Sequence, residues 1–400
     1  MNDVFSRHWS LDPEVTFLNH GSFGACPREV LDHQSELRAR LERQPVGFFV
    51  REYYPLLDAA RERLGEFLGA DPEGLAFVNN ATAGVNAVVN SFPLTAGDEV
   101  LVTDHEYGAC RNALDLAAER AGARVVVATI PFPVGSEDEI VAAILDRCTS
   151  RTRLAMIDHI TSSTALVLPI ARMVRELSQR GIETLVDGAH APGMVPLRID
   201  EIGPAYYTGN AHKWICAPKG AAFLWAREDR RATLRPAVIS HGATIPPGDR
   251  SRFRHEFDWT GTHDPTAWLS VPKAIRVMES MVPGGWAEVR RRNHDLVLEG
   301  RRLACAALDI PPPAPESMIG SMATVPLPDG EPGRPSPLYV DPMQERLWQE
   351  HRIEVPIGPW PAPPRRVLRI SAQLYNHITD FEKLVRCLME ALGNTVHPSA

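Results

Sequence analysis

The sequence predicts an α/β protein: a mostly parallel central sheet covered by helices, with a smaller C-terminal α/β domain. Three observations carry that reading. Short apolar, β-branched-rich runs alternate with amphipathic stretches through the middle of the chain, and such alternation builds a parallel sheet buried on both faces. The length of 400 residues is enough for two domains and a large core. Near residue 265 the texture changes to a helix-rich, arginine-laden stretch followed by proline-rich segments, which reads as a second unit.

The elements follow in order. "LDHQSELRARLERQ" (31–44) and "PLLDAARERLGEFLG" (55–69) have helical spacing of apolar residues. "GLAFVNN" (74–80) is a strand, and "ATAGVNAVVNSF" (81–92) returns to helical spacing. Further strands are "DEVLVTD" (98–104), "ARVVVATI" (123–130), "TRLAMIDH" (152–159), "IETLVDGA" (182–189) and "AAFLWA" (221–226). Helices over 113–122, 136–148 and 170–181 separate most of them. "VRRRNHDLVLEGRR" (289–302) reads as a helix with a solvated basic face. "PPPAP" (311–315) and "PLPDGEPGRPSPL" (326–338) read as loops. The expected layout is an arm and helix over 1–50, a large domain over 51–265 and a small domain over 266–400.

Composition excludes several classes. The chain is 44% hydrophobic and 23% charged, with net charge −8. That balance argues against a protein built to hold nucleic acid or an anionic membrane. No run approaches the roughly 20 apolar residues of a membrane span, and the start lacks the layout of a signal peptide. The six cysteines are scattered without C-x-x-C spacing, which fits a reducing compartment and offers no zinc site. The expectation is a cytoplasmic protein without a metal.

In parallel sheets chemistry gathers at the carboxyl ends of strands. "FVNNATAG" (77–84) passes from strand to helix, and its free N–H groups with Thr82 make an anion seat, or an ordinary N-cap. "IETLVDGAH" ends a strand on Asp187, with His190 three residues on. A carboxylate there is partly desolvated and wants a cation or hydrogen bonds. In "TGNAHKWICAPKG" (208–220), Lys213 sits where its neighbours are ready to bury it. It is either a surface lysine with its stem along apolar residues, or an amine whose burial makes it a nucleophile. Arg369 lies between apolar residues in "RVLRISAQLYN" (366–376). It keeps its charge, so burial calls for an anion, either an internal carboxylate or that of a bound substrate. One ligand would satisfy these pieces together: a phosphate for the Thr82 turn, a basic ring nitrogen for Asp187 and an aldehyde for Lys213. Pyridoxal 5′-phosphate has all three.

At this point "LNHGSFGACP", "NNATAGVN", "DHEYGACR", "VDGAHAPG", "GNAHKWICAPKG", "GTHDPTAWL" and "RISAQLYN" acquire a common meaning. The chain resembles class V, fold type I pyridoxal-phosphate enzymes, the family that holds cysteine desulfurases, kynureninase and isopenicillin N epimerase. The texture is nearest to the isopenicillin N epimerase-like branch, and the motifs span almost the whole chain. The resemblance implies that Lys213 bonds the cofactor and then serves as base and acid at the substrate α-carbon. Lys219 is the rival amine, in a turn between Pro218 and Gly220. Asp187 would keep the ring nitrogen protonated, and Ala81, Thr82, Asn210 and His212 would meet the phosphate. Thr262 would reach the phosphate from a partner subunit, implying a homodimer. Tyr107 would stack on the ring, or be a core tyrosine, and Arg369 would grip the α-carboxylate beside Asn19 and His20.

Two departures stand out. His190 replaces the glutamine of desulfurases near the cofactor's phenolic oxygen, and Ser162 replaces the asparagine of many relatives beside the same atom. Desulfurases carry a nucleophilic cysteine shortly before the arginine, but "RIEVPIGPWPAPPRRVLR" (352–369) has none. An epimerase needs proton donors on both faces of the α-carbon; Lys213 covers one, and Tyr107 or His20 the other, unless His20 is a helix-cap or core histidine. The expected activity is amino-acid epimerisation. The alternatives are carbon–sulfur β-elimination of the hercynylcysteine sulfoxide lyase kind, class V transamination, or a non-catalytic scaffold on the same fold. "PVGFFVREYYP" (45–55) and "ISHGATIPPGDRSRFRHEFDW" (239–259) are expected to line the substrate pocket, although a packed interface would look the same.

Overall fold

The computed structural model describes residues 4–246, 248–330 and 340–393. After a two-residue strand β1 (Thr16–Phe17), the apolar runs become β2 (Leu75–Val78), β3 (Glu99–Thr103), β4 (Arg124–Ala128), β5 (Thr152–Asp158), β6 (Glu183–Asp187), β7 (Tyr206–Asn210) and β8 (Ala222–Ala226). The last seven form one sheet in the order β2-β8-β7-β6-β5-β3-β4. β8 runs antiparallel to both neighbours, and every other pairing is parallel. Six strands therefore end at the same edge, which is where the site forms.

β7 is the strand that periodicity misses. "YYTGN" is short and ends in polar residues, yet it is buried throughout at the centre of the sheet. Tyr207 and Phe223 stack across β7 and β8 with ring planes 2° apart, and the Thr208 hydroxyl donates to the Phe223 carbonyl at 2.8 Å. Tertiary partners thus satisfy what local pattern does not advertise.

The helices between strands have local causes. Asn80 caps Ala81–Ser91 and Ser136 caps Glu137–Leu145, each accepting an N–H of the first turn. Gly122 ends Gly108–Ala121 in the left-handed region that glycine enters freely. The basic segment forms part of the helix Gly285–Ala307. Arg291 and Arg292 are exposed and pair with Glu288, but Arg301 is buried and donates to the Ala314 carbonyl at 2.8 Å. The solvated face therefore covers only part of that run.

A second, antiparallel sheet joins β9 (Met322–Leu327), β11 (Ile357–Pro359) and β12 (Arg366–Ser371) in the order β11-β12-β9. Pro326 and Leu327 belong to β9, so the expected loop begins later; its residues 331–338 lie outside the described residues. β10 (Ile353–Glu354) pairs in parallel with β1, attaching the N-terminal arm to this C-terminal sheet. Among the described residues no helix is long and apolar enough to cross a membrane.

The segments 45–55 and 239–259 do not line the main cavity of the chain. They pack on each other instead. Phe49 and Tyr53 meet Trp259 edge to face. Beside them, buried Arg61 and Asp258 form an ion pair joined by Arg250 and Asp58. The aromatic and arginine richness that suggested a substrate pocket is satisfied within this cluster.

Candidate active site

At the carboxyl edge of the sheet lies a cavity of about 450 Å³. Its wall includes Ala81 and Thr82 after β2, Tyr107 after β3, Asp158 and Ser162 from the end of β5, Asp187 and His190 from β6, and Asn210, His212 and Lys213 from β7. Ser22, Phe23 and Lys219 complete its rim.

Lys213 is buried at its amine, and burial with the nearby Arg369 charge pushes the ammonium down to about 7. Its Nζ lies 3.0 Å from His190 Nε2. His190 is itself held well below the ordinary histidine range by burial and by Lys213, so it is neutral and Nε2 accepts from the lysine. Nδ1 of the same ring then carries the proton, and it is buried without a partner. Lys219, the rival amine, donates to the Gly24 carbonyl at 2.9 Å from the rim. The inward amine beside the acids is that of Lys213.

The turn that carries Lys213 is braced from behind. The Cys216 N–H donates to the Lys213 carbonyl at 3.1 Å, and Cys216 occupies a left-handed conformation, φ 62°. Gly24 packs against the same turn at φ 72°, where an added Cβ would lie 2.9 Å from Lys213 Cα and strike the His212 carbonyl.

Asp187 ends β6 in register with Asp158 on β5. Its Oδ1 accepts the Ala189 N–H at 2.9 Å and its Oδ2 accepts the Cys110 thiol at 3.1 Å. Burial raises the carboxyl, while these donors and Lys213 oppose the rise. Glu106 and Cys110 were absent from the sequence reading. Nor does the strand "TRLAMIDH" advertise Asp158 as part of a site.

The anion seat is narrower than expected. The Ala81 N–H, expected to meet a phosphate, donates to Asn210 Oδ1 at 2.8 Å, and the Ala83 N–H to Asn80 Oδ1 at 2.8 Å. Thr82 keeps its N–H without a protein acceptor among the described residues, at the positive end of an 11-residue helix. His212 bonds the Ala221 carbonyl through Nδ1 at 3.0 Å, and burial pushes it down to about 4. Nε2 is therefore an acceptor in the free protein, and His212 donates to a phosphate only once an anion restores its proton.

Arg369 on β12 is buried, and burial pushes it down to about 10. Among the described residues it pairs with no carboxylate. Its partners are neutral: the Ser162 carbonyl at 2.8 Å, Ser162 Oγ at 3.3 Å and Ser22 Oγ at 2.9 Å. The internal carboxylate that would have explained this arginine is missing, so its charge remains available to a ligand.

Other expectations are corrected. His20 does not line the cavity. It is buried behind Lys213, between the Tyr375 hydroxyl (2.8 Å) and the Lys213 carbonyl (3.1 Å), and burial pushes it down to about 3. Both ring nitrogens are committed, so it has no proton to deliver to a substrate. Asn19 does not line the cavity, but it lies beside Arg369 as expected: its Oδ1 accepts from Ser22 Oγ at 2.6 Å and from Arg369 Nη2 at 3.5 Å, and its Nδ2 donates to Glu354 at 3.1 Å. Ser22, in the same "NHGSFG" motif, is the residue at the cavity wall. Tyr107 is 48% exposed at the mouth, not a core tyrosine. Thr262 is exposed in the segment before helix Thr266–Leu269 and does not line the cavity of its own chain. Where desulfurases carry their cysteine, Trp360 rests on buried His105 at 4.3 Å.

Comparison with known proteins matches this geometry to a family. The family model described as Aminotransferase class-V matches residues 25–299. The chain is 38% identical over 395 residues to isopenicillin N epimerase of Amycolatopsis lactamdurans, covering 95% of this chain and 96% of that one. It is 34% identical over 406 residues to a putative L-cysteine desulfhydrase of Oryza sativa subsp. japonica, covering 92% and 82%. Among solved structures, the cystine C–S lyase C-DES with its product cysteine persulfide superposes at TM-score 0.76 and 20% identity, over 94% and 97% of the chains. A mutant of that lyase carries glycine covalently linked to its PLP cofactor. The lyase likeness speaks for the fold; the sequence matches establish that this chain belongs to the aminotransferase class-V family.

Proposed function

We propose that this chain is a pyridoxal-phosphate-dependent enzyme that moves the α-proton of an amino acid, and that its reaction is epimerisation. The residues suit the cofactor. The amine of Lys213, the orphaned Nδ1 of His190, the open N–H of Thr82 and the acid of Asp187 meet in one cavity. Pyridoxal phosphate supplies, when bound, an electrophilic aldehyde and a sink for negative charge developing at the substrate α-carbon.

The protein's part follows from its own groups. The observation that carries the reading is a buried Arg369, paired with no carboxylate among the described residues, that bonds the cavity-lining Ser22 and Ser162 and whose charge helps hold Lys213 near neutrality. The guanidinium, steadied by Ser22 and Ser162, binds a carboxylate through paired N–H donors. With the carboxylate fixed, the α-hydrogen comes within reach of Lys213, whose neutral form accepts a proton and whose protonated form returns it. In the cofactor-free protein His190 holds the free amine in place, with its Nε2 3.0 Å from Lys213 Nζ.

Epimerisation needs a second proton donor. Tyr107 enters after β3 and Lys213 after β7, three strand spacings apart in the sheet, about 14 Å between strand axes. A flat ligand between them has one group on each side. That arrangement and the 38% identity to an epimerase support epimerisation. The second reading, carbon–sulfur β-elimination, is favoured by the similarity to a putative desulfhydrase and needs only Lys213.

The test is incubation of the holoenzyme with amino acids and cysteine conjugates in heavy water. Deuterium at the α-carbon with inverted configuration is expected. Pyruvate and ammonia without inversion would replace epimerisation by elimination, and a keto acid with an aminated cofactor would replace it by transamination.

A further inference from the structure

Behind Asp187 lies a carboxyl that the site described so far does not use. Glu106 occupies the turn between β3 and the helix Gly108–Ala121, one residue before Tyr107. Both of its carboxylate oxygens are buried and have no hydrogen-bond partner. A Glu106 oxygen, the Cys110 sulfur and an Asp187 oxygen all lie within 4.8 Å of one another. Asp158 adds a third acid, paired in register with Asp187 and with its Oδ2 also orphaned.

Three carboxylates this close cannot all be ionised in a buried site. The groups facing the cluster are Cys110 and Arg111 of the helix, Asp158 of β5, Asp187 of β6 and Lys213 after β7. Arg111 is engaged by Asp115 at 2.8 Å, which leaves the amine of Lys213 as the close cation. The donors decide which acid takes the negative charge. Asp187 receives an amide N–H and a thiol S–H in hydrogen-bond geometry, whereas Glu106 has only the weaker pull of the Tyr107 N–H, which falls outside that geometry. Hydrogen bonds to the ionised form favour it, so the charge settles on Asp187 and a proton stays on Glu106. The thiol cannot accept that proton, since its acidic neighbours and burial push it up and keep it a donor.

We propose that Glu106 is a positioning residue: a buried, proton-bearing carboxyl that leaves Asp187 ionised to face the cofactor's ring nitrogen, with the Cys110 thiol donating to Asp187 and lying within 4.8 Å of Glu106. The role rests on Asp187 being the partner of a ring nitrogen, whereas the protonation of Glu106 does not. An ionised Glu106 would compete with Asp187 for the same positive charge. A neutral one lets Asp187 bind it alone.

The experiment is difference infrared spectroscopy of the apoprotein at neutral pH, wild type against Glu106→Gln. Loss of a protonated-carboxyl stretch in the variant is expected, with the carboxylate region unchanged. Loss of a carboxylate band instead would overturn the proposal whether or not pyridoxal phosphate binds. Cys110→Ser keeps the assignment independent of how well Glu106→Gln folds. A hydroxyl beside Glu106 should displace the same stretch, and an unmoved band refutes the arrangement. Pyridoxal phosphate titration followed by absorbance completes the test. Glu106→Gln should bind within about twofold of wild type, because one neutral group replaces another, while Asp187→Asn should weaken binding at least about tenfold. A protonated Glu106 with undiminished binding by Asp187→Asn would overturn the reading of Asp187, and with it the positioning role, without touching the protonation state.

Discussion

Replacing Lys213 by methionine makes the burial of its amine measurable as a stability difference. The ammonium is held near about 7 against an ordinary 10.5, so half of these amines are neutral at pH 7, against about 3 in 10,000 for a free lysine. The unfolded chain binds the proton up to its higher pKa, and the folded chain gives it up through 7. Stability therefore rises with pH between those two values and is flat below the lower one. Integrating the proton difference from pH 7 to pH 9 gives a gain of about 2 kcal/mol from this one group. Lys213→Met has similar length and no proton, so it lacks that gain.

Urea unfolding of the two apoproteins at several pH values between 7 and 9 is the assay. The variant should be the more stable at pH 7, and its advantage should shrink by about 2 kcal/mol at pH 9. The window avoids the nearby histidines, since His20 sits at about 3, His212 at about 4 and His190 far below its usual range. The acids Glu106 and Asp158 are common to both proteins, so the difference follows the lysine and its coupling to them. A gap that stays constant across the window would mean that the amine is solvated, and the reasoning about its reactivity would fail with it.

Gly24→Ala places a side chain at φ 72°, ψ 165°, a region that glycine alone occupies readily. It should cost more than about 1–3 kcal/mol in urea unfolding and slow borohydride trapping of pyridoxal phosphate on Lys213; equal stability would refute the packing. Arg61→Ala removes one of the cations on buried Asp258, which keeps Arg250, and should cost about 1–3 kcal/mol while trapping at Lys213 proceeds unchanged. Tyr107→Phe should keep cofactor affinity but slow α-deuteration from one face by about 10²–10⁴-fold, the worth of a positioned acid. His20→Gln should leave the face selectivity of exchange intact, and selective loss there would return His20 to the role denied above. Thr262→Ala should weaken pyridoxal phosphate binding only in a dimer, so sedimentation of the holoenzyme checks its expected role across subunits.

What could be read in the sequence was chemistry out of keeping with its surroundings. Lys213 and Asp187 stood out because a charge beside a run of apolar residues needs a reason, and the central strands stood out because buried parallel strands are continuously apolar. The rest depended on sheet order and on backbone direction. Asp158 and Asp187 are 29 positions apart, and only the pairing of β5 with β6 sets them side by side. Glu106 lies in a turn, where a charged residue ordinarily reaches water, and its burial comes from the helix and strands folded over it. In "NHGSFG" the histidine draws attention as the titratable residue. The single helical turn His20–Phe23 sends it backward to Tyr375 and leaves Ser22 at the cavity wall.

That same segment ties together the two residues to which the proposed function gives the two ends of a substrate. Leu18 donates its N–H to the Glu354 carbonyl on β10, and its carbonyl accepts from Ser371 on β12, both at 3.0 Å. Four residues on, Ser22 reaches Arg369 on that same strand. His20 and Gly24, from the same stretch, press on the Lys213 turn. One short loop is thus bonded to the strand that grips the carboxylate and packed on the turn that carries the base. On the proposed function, local bonds would therefore set the distance between a bound carboxylate and the α-carbon base. With carboxylate and α-carbon so held, the proposed function would leave the third substituent facing the mouth, where Phe23 is 74% exposed. Inversion at a centre held this way changes only the face that carries the hydrogen. On the proposed epimerisation, a clamp on one side and an open mouth on the other would suit a reaction whose substrate and product differ in nothing else.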